Sequence, residues 1–525
     1  MWDRNWRIDT WKNLQKKWDL IVIGGGITGA GIFNLAARRG YSVLLLEASD
    51  FSFGTSSRSS KLVHGGLRYL QNKQYNVVRE SVRERERMIK EAPGLVHQLD
   101  FLFAGYSDFG MSHRMLAVGT TLYDLMVPKW DYRIIRKEWV REWEPILNTV
   151  GLTGAVHYYD ACVDDSRLVL RVIHDGELFG GTALNYARVT GFVKNTKGRV
   201  VSVKVQDQTE MLEPDTQEIQ AAVVVNATGP WSDEVRSTIQ GAPRLRKLRG
   251  SHLVFSRDKL PIKQAVTMLH PLDHRALFAI PWEGVTMIGT TDLDQREMDT
   301  EPAISAKEVD YLIQAANHAF PANQVTTNDI ISSFAGLRPV IDTGASSPSK
   351  ESRAHEIWEE DGVVTISGGK LTIFRVMAAD VLNFIAPHLP GNPHFDHRDP
   401  VFEHPSKLVR PPAIDLEDWS GLLGRHGHAS LEVINAAPAD QLKRIAPLSN
   451  LWAELVYSAT SEAVVHLDDL LLRRVRLGLC LPHGGLDQIG KIRDLVQTHL
   501  AWSDQHWQDE VNRYKEIWQK YYFLP

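Results

Sequence analysis

The sequence predicts an α/β protein in three parts: a doubly wound domain assembled from separated segments, an antiparallel-sheet domain inserted between them, and an all-α C-terminal domain. Three observations predict this. An apolar strand breaks into glycines and then a helix between Asp19 and Glu47. Residues Arg249 to Thr291 alternate apolar and polar at the period of a strand. From Asp415 to Pro525 the apolar residues recur at helical spacing.

In the first stretch, Leu20-Ile21-Val22-Ile23 is the strand and Gly24-Gly25-Gly26-Ile27-Thr28-Gly29 the turn. Ala30 to Arg39 is the helix, and Tyr41 to Leu46 a second strand ending on Glu47. The spacing is G-x-G-x-x-G with an acid about twenty residues on, which is the pattern of a dinucleotide site. Gly24 permits the tight turn, Gly26 lets backbone N–H groups approach a pyrophosphate, and Gly29 seats the helix near the strand. Ile27 and Thr28 complete that turn, and the helix that follows offers orphan N–H groups and a positive dipole end to an anion. Glu47 is placed to accept hydrogen bonds from both hydroxyls of an adenosine ribose.

Composition narrows the rest. At 525 residues and 43% hydrophobic, the chain needs two or three domains. A net charge of −5 gives no electrostatic case for nucleic-acid binding. Cys162 and Cys480, far apart in sequence, suit a reducing compartment better than a disulfide. No uncharged apolar run is long enough to span a membrane, so the expectation is a soluble or membrane-peripheral intracellular protein.

Before the first strand, residues 1–18 form an arm in which Trp2, Trp6, Trp11 and Trp18 alternate with Arg4, Arg7, Lys12, Lys16 and Lys17. The simpler reading packs these indoles against the protein's own domain, and a membrane interface, which Trp with Lys or Arg also suits, is the alternative. After Glu47 comes the loop Thr55-Ser56-Ser57-Arg58-Ser59-Ser60-Lys61, then His64-Gly65-Gly66-Leu67-Arg68-Tyr69-Leu70. Directly after a dinucleotide turn, small polar side chains and glycines read as a loop wrapping a phosphate-bearing cofactor. Val77 to Lys90 reads as a charged helix with a solvated face, and Asp100 to Asp160 as aromatic and irregular.

Asp164 to Phe179 returns to a helix pattern, with Asp164 and Asp165 as capping groups rather than catalysts. Asn185 to Val189, Val200 to Gln206 and Ile219 to Val225 read as strands, the last ending in Asn226-Ala227-Thr228-Gly229-Pro230-Trp231. A second strand–glycine–helix junction lies at Gly368-Gly369-Lys370-Leu371-Thr372. The predicted division is 1–18 arm; 19–99, 155–235 and 330–386 cofactor domain; 100–154 and 236–329 substrate domain; 387–412 linker; 413–525 helical domain. The aromatic tail from Trp502 to Phe523 reads as the helical domain's own core, with a homodimer contact as the alternative.

Taken in order, these motifs resemble the FAD-dependent glycerol-3-phosphate dehydrogenase family, of the aerobic, membrane-peripheral bacterial kind. The match runs through Asp19–Gly31, Ser59–Leu70, Asn226–Trp231, Gly250-Ser251-His252, Ile288–Asp292, Gly336–Pro339 and Gly368–Thr372. The resemblance implies FAD in a discontinuous Rossmann-like domain and oxidation of sn-glycerol 3-phosphate to dihydroxyacetone phosphate. It also implies electron delivery to a quinone at the inner, cytoplasmic face of the cell membrane. Cofactor contacts are expected from Gly24, Gly26 to Gly29, Glu47, Thr55, Ser56, Lys61, Leu62, His64, Val189, Thr228, Gly229, Gly336, Arg338 and Gly369 to Thr372.

Arg68 and Arg338 are the candidates for binding the substrate phosphate, because a guanidinium fork matches phosphate oxygens. His64, slightly favoured, and His252 compete as the base that takes the hydroxyl proton. Lys370 and Tyr69 are further candidates for the substrate oxygens. Lys370 and the helix after it supply positive potential for reduced flavin. Asp292 is a candidate for orienting a neighbouring group. No His/Cys cluster has metal spacing, and no metal is expected. Competing readings are an oxidase passing electrons to O₂, an amine or amino-acid oxidase of the same architecture, and a non-catalytic flavoprotein.

Overall fold

The computed structural model describes residues 2–525 except 4, 67–74, 108–131, 210, 296–300, 345–353 and 406. Two large sheets organise it. The first has eight strands, and its parallel core runs Val363–Gly368, Thr216–Asn226, Trp18–Ile23, Val43–Leu46, Thr182–Leu184. Leu20, Ile21, Val22, Leu44 and Leu45 are fully buried, which is why these strands read as unbroken apolar runs. Helices Ile27–Arg38, Asp165–Glu177 and Phe374–Ile385 cover one face, where Phe33, Ile173 and Phe374 share a core. Asp164 caps the second of these helices, accepting from the N–H groups of Ser166 and Arg167.

The N-terminal arm reaches both faces of this sheet: Trp2 joins the helix-side core with Phe33, and Trp11 and Trp18 enter the core of the opposite face. Trp2, Trp11 and Trp18 are each about 1% exposed, and the indole N–H of Trp11 donates to the carbonyl of Pro214 at 2.9 Å. Arg7 is buried too, its guanidinium on the carbonyl of Asn185 at 2.7 Å. Three of the four indoles thus complete the domain's own core rather than presenting a membrane anchor.

The second sheet has ten strands and corrects the predicted boundaries. Leu62–Val63, Val96–Tyr106, Leu152–Val163 and Ile330–Ile341 all belong to it, although the sequence placed most of these residues in the cofactor domain. The irregular reading of 100–160 also fails there. Val96–Tyr106 pairs along its length with Leu152–Val163, ten of whose twelve residues are buried. A strand buried on both faces shows no alternation.

The helical region is not a separate body. Trp452, Leu470, Leu477, Tyr514 and Trp518 share one hydrophobic cluster with Phe101, Val254, Met287 and Phe334 of the second sheet. The tail crosses that sheet, where Ser333 N–H donates to Tyr522 O at 2.8 Å. Residues 387–412 are docked as well: Phe395 and Val401 are buried, and Asn34 donates to the carbonyl of Val401 at 3.0 Å. The charged helix, Tyr75–Glu91, buries part of its charge, with Arg85 on Asp160 at 2.5 Å and Glu84 facing Arg375 at 3.2 Å.

Candidate functional site

Ile23, Leu46 and Asn226 stand at the carboxyl ends of neighbouring parallel strands, the usual ligand position in an open α/β sheet. The nucleotide turn starts there. Gly24 has φ +110°, and a Cβ on it would lie 2.7 Å from the carbonyl oxygen of Ala227. A Cβ on Gly29 would lie 1.9 Å from the carbonyl oxygen of Gly24, so turn and helix touch and only glycine fits at both positions. Ser56 Oγ accepts from the Ile27 N–H at 3.0 Å and ties the hydroxyl-rich loop to the helix start.

Glu47 is aimed by two backbone donors, Gly25 N–H at 2.7 Å on Oε2 and Ser49 N–H at 2.8 Å on Oε1. Each oxygen keeps a second lone pair, which is what a pair of ribose hydroxyls requires. Burial pushes the carboxyl above its usual range, against the pull of those two N–H groups. The turn opens into a cavity of about 1410 Å³. A glycine cradle, an oriented acid and a space of this size fit a dinucleotide flavin.

The cavity wall carries Gly24, Gly26, Ile27, Thr28, Glu47, Thr55, Ser56, Leu62, His64, Val189, Thr228, Gly229, Gly336, Arg338, Gly369, Lys370, Leu371 and Thr372. Gly29 lies behind the turn. Lys61 does not line the cavity. Its ammonium is fully buried between the Asp165 carboxylate, at 2.8 and 2.9 Å, and the Ser57 carbonyl, at 2.6 Å. A lone ammonium inside the loop needs a counter-charge, and Asp165, which also accepts from Ser59, supplies it. Arg68 and Tyr69 lie outside the described residues.

The second sheet supplies the opposite wall. Arg338, on Ile330–Ile341, donates to Thr290 Oγ1 at 3.0 Å, to Thr291 O at 3.3 Å and to Asp292 Oδ1 at 3.2 Å. A Cβ on Gly250 would lie 2.4 Å from this guanidinium, so the glycine leaves room for it. His252 bonds Ser60 through Nε2 at 2.9 Å and stacks on Phe334, ring centres 4.6 Å apart. Its Nδ1 has no hydrogen-bond partner among the described residues. Burial, with Arg338 and Lys61 nearby, pushes its pKa well down.

His64 is held by its backbone: its N–H donates to Thr372 Oγ1 at 3.2 Å, and its carbonyl accepts from that hydroxyl at 3.3 Å. Its ring makes no hydrogen bond among the described residues and lines the cavity. Burial and then Lys370 pull its pKa to about 4. A histidine with a lowered pKa is neutral above that pKa, so both imidazoles are proton acceptors at pH 7. Lys370 donates to Gly65 O at 3.5 Å and precedes the turn Leu371–Ile373 that leads into Phe374–Ile385.

The sequence reading passed over several wall residues. Trp231 ended a motif already singled out, and its ring packs where a Gly54 Cβ would stand. Phe101, Tyr158 and Phe278 form an aromatic flank, with Phe101 stacked on Tyr158 at 5.2 Å and edge-on to Phe278 at 5.8 Å. Arg275 follows Asp273-His274 at the start of a strand, where nothing in the sequence marks it. Among the described residues no cluster of His, Cys, Asp or Glu is arranged to hold a metal.

Cradle, cavity and facing sheet place the chain among the FAD-dependent oxidoreductases, and residues 19–371 match the family described as FAD dependent oxidoreductase. Residues 388–507 match the C-terminal domain of alpha-glycerophosphate oxidase. The aerobic glycerol-3-phosphate dehydrogenase of Staphylococcus haemolyticus is 35% identical over 96% of this chain and 95% of its own length. The enzyme of that name from Staphylococcus aureus is 35% identical over 88% and 87%. The chain belongs to the FAD-dependent glycerol-3-phosphate dehydrogenase family, and its cofactor is FAD. The glycerol-3-phosphate dehydrogenase of Bacillus halodurans, solved with FAD, is 28% identical with a TM-score of 0.76 over 97% of this chain and 96% of that one. The L-alpha-glycerophosphate oxidase of Mycoplasma pneumoniae, at 17% identity and a TM-score of 0.58 over 71% of this chain and 95% of that one, shares the fold.

Proposed function

We propose that this chain oxidises sn-glycerol 3-phosphate to dihydroxyacetone phosphate, with FAD as the two-electron acceptor and a membrane quinone as the final one. One observation carries this reading: Arg338, His64, His252 and Lys370 share a single cavity with the nucleotide turn. Arg338, oriented by Thr290 and Asp292, binds the phosphate. His64, neutral and with its ring open to the cavity, takes the C2 hydroxyl proton. Lys370 and the helix start behind it provide the positive potential that favours flavin reduction. The flank of Phe101, Tyr158 and Phe278 keeps water from the reacting centre.

An acceptor other than O₂ is favoured by the names of the relatives, which are dehydrogenases rather than oxidases, and we take it to be a quinone. Among the described residues no helix is long and apolar enough to cross a membrane, and this reading has the lipid-borne acceptor met at the inner surface of the cell membrane. The buried indoles remove the N-terminal arm as the means of attachment.

Anaerobic mixing with sn-glycerol 3-phosphate is expected to bleach the flavin band, and a soluble quinone, not O₂, to restore it faster. A band bleached only by an amine or an amino acid would overturn the substrate. Faster recovery with O₂ would make the protein an oxidase.

Arg338→Ala removes a charge-assisted contact of roughly 1.5–3 kcal/mol, which corresponds to a rise in KM of about 10- to 100-fold. An unchanged KM refutes the assignment. Lys370→Met is expected to lower the flavin potential by about 30–65 mV, the two-electron equivalent of roughly 1.5–3 kcal/mol. Equilibration with reference dyes measures it, and a potential within experimental error of wild type counts against the role.

A further inference from the structure

We propose that Arg275 is a second phosphate-binding arm of the substrate site, paired with Arg338 across Asp292; this rests on the substrate reading above. The Asp292 side chain is about 2% exposed and faces two guanidinium groups, Arg338 NH1 at 3.2 Å on Oδ1 and Arg275 NH2 at 3.3 Å on Oδ2. Both arginines line the cavity, with 18% and 28% of the side chains of Arg275 and Arg338 exposed. Two guanidinium groups this close repel each other, and the buried carboxylate between them offsets that repulsion and fixes their spacing.

The backbone under Arg275 is locked as firmly. Asp273 accepts from the Arg275 N–H at 3.1 Å and from the Tyr311 hydroxyl at 3.0 and 3.1 Å. The Tyr311 ring stacks on His270, centre to centre 3.7 Å. A surface arginine serving only solubility has no need of such a mount.

The chemistry matches a dianion. The two guanidinium groups outnumber the one carboxylate that joins them, and the three terminal oxygens of a phosphate monoester accept from two forks at once. A substrate with a single carboxylate would need only one fork. The pair therefore selects phosphorylated over plain polyols.

The test compares the wild-type holoenzyme with Arg275→Gln and Arg275→Lys. Arg275→Gln is expected to raise KM for sn-glycerol 3-phosphate by about 10- to 100-fold, with kcat changed less than about threefold and Arg275→Lys between the two. Its dissociation constant for inorganic phosphate, read from the flavin spectrum without turnover, is expected to weaken by the same factor. Activity on glycerol should fall less than activity on sn-glycerol 3-phosphate, so the preference for the phosphorylated substrate falls. Arg275→Gln protein with KM and phosphate affinity within twofold of wild type overturns the proposal. If the glutamine variant does not retain flavin, Arg275→Lys is judged by the same two constants. Should wild type fail to be bleached by sn-glycerol 3-phosphate, the substrate reading falls, and the phosphate titration still decides whether Arg275 binds the anion.

Discussion

His64→Ala is expected to lower kcat by roughly 10²–10⁴-fold, the range for loss of a positioned general base. Flavin should still bind, because the contact to Thr372 runs through the backbone of residue 64. The pH profile separates this role from a packing role. Burial and Lys370 lower the His64 pKa to about 4, so the imidazole stays unprotonated down to that pH. Wild-type bleaching at saturating substrate should therefore be flat between about pH 8 and 6, where an ordinary imidazole would begin to titrate. The same direction governs stability. A histidine held neutral in the fold takes up its proton on unfolding, so its contribution is present above the unfolded pKa near 6.5 and is lost as pH falls toward 4. Rapid-mixing rates for His64→Ala and His252→Ala decide the assignment; a kcat within about threefold of wild type for the first would sink it.

The second large effect is on stability. Asp50 is fully buried a few residues beyond Glu47 and binds Arg473 at 2.6 Å and Arg474 at 2.6 and 2.7 Å. Burial alone would raise its pKa, but Arg474 and Arg473 outweigh that and hold the carboxyl below its usual range. Removing the carboxylate leaves the buried Arg474 without its ion-pair partner, while Arg473 keeps Asp468 and Asp469. Asp50→Ala is thus expected to cost about 3–5 kcal/mol, because an uncompensated buried charge is far worse than a missing pair. Asp50→Asn keeps the shape and tests the charge alone. Denaturant midpoints of the holoenzyme measure both, and midpoints equal to wild type would falsify the role given to this cluster.

The site was legible where its function is local. The dinucleotide turn needs its glycines, helix start and acid within one βαβ unit, so Gly24 to Glu47 could be read directly. Helix starts are local in the same way: Ser305 and Glu308 form a capping box at the start of Ala306–Ala319. What depends on distant partners was not legible. Leu62–Val63 pairs with residues a hundred positions on, and nothing in two residues announces that. Lys61 reads in sequence as a cofactor contact, and only the fold brings Asp165 beside it as its buried partner. Arg275 acquires meaning only from Asp292 and Arg338, which reach it through the register of the sheet. The Trp-rich arm was ambiguous for the same cause: composition describes an indole's preference for an interface, and packing decides which interface it gets.

The Asp50 cluster also fixes an order of events during synthesis. Its ion pairs join residues 423 and 424 positions apart, and the bond from Arg58 to the Tyr522 hydroxyl spans 464. A nascent chain thus produces the nucleotide cradle first and the side chains that lock it last. Closing loops of that length costs entropy that only the completed contacts repay. Until the C-terminal helices emerge, the N-terminal half holds an unpaired interior acid and a sheet lacking its cover, a state prone to aggregation.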